Sequence, residues 1–176
     1  MLAPVSRAVS LLLVTFLLVA CRGGPDTTER VASPAPTPQA EADASPQPSP
    51  SFRGAAALID TDDGSVIVRV EVAQTDEERM RGLMFRESMP EDHGMVFIWF
   101  EEHHGGFWMK NTLIPLSIAF FGNDGRILRI MDMDPCTEDP CPVYDPGVGY
   151  YGALEVNQGM FDEWGVKEGD HITMSF

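Results

Sequence analysis

Val66, Val68, Val70 and Val72 alternate with Ile67, Arg69 and Glu71, so a backbone with a two-residue period puts four valines on one face. That is a strand with one side in a core. Asp62-Asp63-Gly64 precedes it, a turn signal that makes residues 57–60 its hairpin partner. The chain is therefore built outward from a hairpin with one apolar face.

The next stretch changes period. Thr75 stands three residues before Glu78, the spacing at which each side chain satisfies a free amide of a first helical turn. Met80, Leu83 and Met84 follow at helical spacing. Asp76, Glu77 and Glu78 come early and Arg79, Arg81 and Arg86 late, the charge order a helix dipole favours. Residues 94–100 are a continuous apolar run containing Phe97, Trp99 and Phe100, which predicts a strand buried on both faces.

A polar loop of Glu101, Glu102, His103 and His104 then leads into Gly106-Phe107-Trp108-Met109-Lys110-Asn111-Thr112-Leu113-Ile114-Pro115-Leu116. A buried Lys, Asn or Thr costs free energy unless paired, so this triplet between apolar flanks predicts a strand that leaves the core and presents polar groups at a rim. Residues 116–121 and 126–131 flank Gly122-Asn123-Asp124-Gly125, a second hairpin signal. Residues 132–149, rich in Pro and Asp, predict an irregular loop. Strands at 151–156 and 172–176 and a short helix at 158–164, stopped by Gly165, complete the pattern. Together they predict a compact α+β domain with a mainly antiparallel, barrel-like sheet and about two short helices.

That domain occupies residues 53–176. Before it, a short positively charged start and an apolar run too short to span a bilayer end in Leu18-Val19-Ala20-Cys21. The pattern resembles bacterial lipoprotein signal peptides, which implies removal of residues 1–20, acylation of Cys21 and membrane attachment through lipid. Residues 22–52 hold seven of the fourteen prolines and hardly a bulky apolar residue. They predict a semi-rigid spacer holding the domain off the membrane. The domain itself carries 23 acidic against 9 basic side chains, a net charge of −14. Such a surface repels phosphate backbones, which excludes nucleic acid as a partner.

Several blocks carry a further likeness. Arg81-Gly82-Leu83-Met84-Phe85-Arg86, Gly94-Met95-Val96-Phe97, Trp108-Met109-Lys110-Asn111-Thr112 with Ile114-Pro115-Leu116, Asp124-Gly125, Leu154-Glu155-Val156-Asn157 and Gly169-Asp170 stand in an order and spacing that resemble the prokaryotic domain of unknown function 192. The resemblance covers nearly all of residues 56–176. It implies a compact β-rich α+β fold, often exported, in a family without an established biochemical activity. An acidic residue is usual after Pro-Leu in that family; this chain carries Ser117 there.

Read from the residues, the candidate site is Arg81, Lys110, Asn111, Thr112, Glu155 and Asn157, with Phe85 and Trp108 as apolar walls or as core. Apolar walls with a few convergent polar groups suit a small ligand. The same residues also suit a structural network in which Arg81 or Lys110 neutralises Glu155 and Asn111 and Thr112 satisfy backbone groups. Cys136 and Cys141, in an exported protein, predict a disulfide. With His103 or His104 they lack the paired close spacing of a structural zinc site, so no metal or cofactor is expected. No nucleophile elbow, metalloprotease helix or phosphate-cradling glycine loop is present.

The expected protein is thus a lipid-anchored extracytoplasmic domain of the bacterial cell envelope, the membrane left open. It would bind a small polar ligand or an envelope protein partner at its polar rim. A hydrolase or lyase using the same cluster, and a purely structural envelope protein, remain as alternatives.

Overall fold

The computed structural model describes residues 51–176. The expected signal peptide, Cys21 and nearly all of the expected spacer lie outside these residues.

The valine strand is β2 (Gly64–Ala73), and it pairs antiparallel with β1 (Arg53–Thr61) through Ile59 opposite Val66 and Ala57 opposite Val68. β1 runs from Arg53, further back than the turn signal alone predicts. The remaining elements are α1 (Asp76–Arg81), β3 (His93–His103), β4 (Phe107–Trp108), β5 (Leu116–Phe121), β6 (Ile127–Met133), β7 (Val143–Tyr144), β8 (Tyr150–Asn157), α2 (Met160–Glu163) and β9 (His171–Ser175). Seven strands form one sheet in the order β6-β5-β8-β3-β2-β1-β9, with β4 and β7 as a separate pair. All neighbours in the large sheet are antiparallel except β2 and β3, which run parallel because α1 and the segment after it carry the chain back between them. Strands dominate, and the two helices have only six and four residues.

The sheet curls until its edges meet at one end. Ile127 N–H donates to the Asp170 carbonyl, Gly169 N–H to the Ile127 carbonyl and Ile172 N–H to the Gly125 carbonyl, each at 2.8 Å. Gly125 permits this contact: its φ is +82°, and a Cβ there would lie 2.3 Å from the Ile172 carbonyl oxygen. The barrel-like expectation is met as a half-barrel closed at this corner.

Each face of the sheet has its own core. On one, Ile59, Val68, Val70, Val72, Val96, Leu154 and Ile172 pack with Met160 and Phe161 of α2. On the other, Met95, Phe97, Leu116, Ile118, Phe120 and Met133 are covered by Leu83, Met109 and Ile114 from segments that cross over the sheet. The second core positions the site.

The helix start is as the sequence predicts. Glu78 N–H donates to Thr75 Oγ1 at 3.2 Å, and Thr75 N–H returns a bond to the Glu78 carboxylate at 2.9 Å. The backbone donors of Thr75 and Gln74 hold the Glu78 carboxyl below its ordinary range. The extent of the helix is a correction. It stops at Arg81, so Met80, Leu83 and Met84 do not share a helical face; Met80 is 69% exposed and Leu83 is buried from the turn beyond. Gly82 ends the helix because φ +44° and the Phe97 ring beside it leave little room for a side chain.

The expected strand buried on both faces is corrected too. Gly94 to Phe97 are buried, but the pairing with β8 slips after Ile98, and Phe100 is 83% exposed. Residues 132–149 hold β7, which two residues could not announce by period.

Candidate functional site

Glu155 sits in the middle of β8, directly opposite Met95 of β3 and Ile118 of β5. Cross-strand partners share a face, so its side chain lies in the second core, in a row with two apolar neighbours. The segments that bring Leu83, Met109 and Ile114 over this face also cover Glu155, which is 5% exposed. Its carboxyl has no hydrogen-bond or charged partner among the described residues. Burial alone pushes its pKa up to about 8, so near neutrality it holds a proton.

Every fully enclosed side-chain nitrogen or oxygen among the described residues has a partner. The unpaired Glu155 oxygens must therefore sit at the small opening that remains. Thr112 has the same standing. It is 7% exposed, its backbone N–H donates to the Met109 carbonyl at 3.1 Å, and its hydroxyl has no partner among the described residues.

The cover over Glu155 is held by unusual backbone. Phe85 and Asn111 have φ of +65° and +59°, a region that Asn adopts readily but that costs Phe85 energy. The two meet directly, Phe85 N–H donating to the Asn111 carbonyl at 2.8 Å. Asn111 Nδ2 lies 4.0 Å from Met84 Sδ, and the Arg81 guanidinium stands 4.9 Å over the Phe85 ring. Asn157 ties down the far end of the segment, Nδ2 donating to the carbonyls of Met89 at 2.9 Å and Pro90 at 3.2 Å. Its amide serves the loop.

The predicted site residues thus fall into three groups. Arg81, Phe85 and Asn111 meet in the cover, with Thr112 next in sequence. Glu155 and Asn157 lie along one strand face beneath. Lys110 and Trp108 lie outside: Lys110 Nζ pairs with Asp139 at 2.8 Å and stands 6.0 Å from the Trp108 ring, while Trp108 is 54% exposed and Phe85 is exposed as well. Neither aromatic is core, and Lys110 does not neutralise Glu155. The Lys110–Asp139 pair is exposed and contributes little to stability. Lys110 also bridges Cys136, which is bonded to Cys141, so the disulfide anchors the loop bearing Asp139.

Ser117, the departure from the usual acid, is on the opposite face from Glu155 because it precedes Ile118. Its hydroxyl donates to Asp132 and accepts the Gly159 N–H at 2.9 Å, fixing the start of α2.

Sequence reasoning missed a cavity of about 430 Å³, lined by Arg79, Phe97, Trp99, His103, Phe107, Trp108 and Tyr150. The Arg79 guanidinium lies 5.1 Å from the Trp99 ring, and His103 stacks on that ring at 4.6 Å. Burial first, then Arg79, lowers the His103 pKa. The rings come from three separated segments, so no local spacing could reveal them. Among the described residues no group of His, Cys, Asp and Glu could hold a metal ion, and no helix is long and apolar enough to cross a membrane.

A model of the DUF192 family, described as uncharacterized ACR, matches residues 58–174. A protein from Sinorhizobium meliloti 1021, named as a proposed transcription regulator, superposes with a TM-score of 0.66 at 32% identity, covering 70% of this chain and 95% of that one. A protein of unknown function from Novosphingobium aromaticivorans DSM 12444 gives 0.64 at 30% identity, covering 72% of this chain and 89% of that one. No curated protein matches the chain.

Proposed function

The chain belongs to the DUF192 family of uncharacterized proteins, and we propose that this member is a lipid-anchored extracytoplasmic domain that binds a small polar ligand over Glu155. The anchoring rests on the Leu18-Val19-Ala20-Cys21 pattern and the proline-rich segment behind it. In a bacterial host, Cys21→Ser should move the protein from the detergent phase to the aqueous phase. A variant still partitioning into detergent would end the lipoprotein reading.

The binding reading is carried by one observation: a nearly buried carboxyl without a partner among the described residues, beneath a cover whose backbone is strained at Phe85. A buried polar group that makes no bond costs about 1–3 kcal/mol, and chains tend to keep such costs where function needs them. The hydrolase or lyase reading would draw on the same proton. It gains less support, because the Thr112 hydroxyl in the cover has no base bonded to it among the described residues. The name given to the Sinorhizobium protein is not carried over, since a domain of net charge −14 repels nucleic acid.

Soaking crystals with a set of small polar fragments tests the site. Fragments should collect at the opening beside the Glu155 carboxyl. The reading fails if they lodge only elsewhere, for instance in the aromatic cavity between Arg79 and Trp108.

A further inference from the structure

Resting on that binding reading, we infer that the group received over Glu155 is a cation, a primary ammonium or a guanidinium, which enters as the carboxyl releases its proton. The Glu155 carboxyl lies nearly buried in the second core with no partner among the described residues, and it can accept hydrogen bonds. A head group made only of N–H donors satisfies such a carboxylate.

The surroundings favour an external cation. The basic side chains near the cover are engaged elsewhere: Lys110 with Asp139, Arg86 with Glu71, and Arg81 against the Phe85 ring. None is paired with Glu155. The domain's net charge of −14 concentrates cations at its surface. Once inside a site of low dielectric, a carboxylate and an N–H cation form the stronger, charge-assisted kind of hydrogen bond.

The exchange balances. The protonated Glu155 carboxyl loses its O–H proton to solvent water or buffer, the cation takes that position, and no other bond is made or broken. The cleft holds one charge-compensated pair in place of one neutral acid.

Among the described residues no fixed charge faces Glu155. β3 presents Met95 and β5 presents Ile118, its own strand presents Ala153 and the Asn157 amide, and the cover presents Leu83, Met109 and Ile114. Glu71 lies one strand beyond Met95 in the same row and is held by Arg86.

The test uses the full chain with glutamate labelled by 13C at the side-chain carboxyl, the Glu155 signal being assigned by its loss in Glu155→Gln. The signal is followed through a pH titration in methylguanidinium chloride, in sodium chloride at equal ionic strength, and in N,N-dimethylacetamide, a neutral acceptor. Methylguanidinium should lower the apparent pKa of Glu155 by at least about one unit relative to sodium chloride, which is a tenfold preference for the ionised form. Its affinity should rise up to about tenfold per pH unit below the Glu155 pKa of about 8, and this slope should vanish in Glu155→Gln. An unchanged Glu155 pKa at saturating methylguanidinium overturns the inference. If dimethylacetamide instead moves the Asn111 and Thr112 signals and raises the Glu155 pKa, the cation is wrong while the binding cleft stands. If neither probe moves these signals, both readings fall.

Discussion

Raising the pH from about 5 to about 8 should weaken the folded state by on the order of 4 kcal/mol through Glu155 alone. In the unfolded chain the carboxyl ionises near its ordinary value of 4.5, whereas burial holds the folded one protonated to about 8. Between those values the folded state carries the extra proton, so unfolding releases it and becomes easier as pH rises. The slope ends above about 8, where both states are ionised. Other groups act elsewhere or with the opposite sign. Glu78, held low by the backbone donors of its capping box, contributes stability that is lost only as pH falls below 4.5. His103, lowered by burial, loses stability as pH drops through 6.5. Subtracting the profile of Glu155→Gln isolates the carboxyl. Chemical unfolding of both proteins across this range should give a difference that falls with pH, and a flat difference would mean that Glu155 is ionised and paired in the fold.

Much of the scaffold was legible because it is written in neighbouring residues. The valine alternation and Asp-Gly turn define β1 and β2, the Thr75–Glu78 spacing defines the start of α1, and Asn123-Asp124-Gly125 defines the hairpin of β5 and β6. Features set by distant parts of the chain were not legible. The parallel register of β2 on β3 depends on how α1 returns the chain, and β4 and β7 are too short to show a period. Phe100 lies in an apolar run yet is exposed, since burial depends on what the fold lays over a strand.

The site shows the same division. That Lys110 and Asn111 leave the core and that Glu155 carries a charge-bearing group into it follows from residue type and flanks, whereas Thr112, expected at the rim, is buried just beyond the end of β4. Which cation meets which acid does not. Lys110 turns out to the disulfide-anchored loop, and Arg81 lies on Phe85, so Glu155 is left with its proton. The positive φ of Phe85 and Asn111 was equally hidden, because neither residue type demands one.

The central claim is that Glu155 is kept for what it binds and weakens the fold while it waits. Thermal and urea unfolding of Glu155→Met at pH 7.5 tests this most directly. Met has a similar volume, carries no group that needs a partner, and fits between Met95 and Ile118. Removing an unpaired buried polar group should stabilise the domain by at least about 1–3 kcal/mol, more at pH 8 than at pH 5. A variant less stable than the natural chain by 1 kcal/mol or more would show that the carboxyl holds the fold together, and would contradict the account.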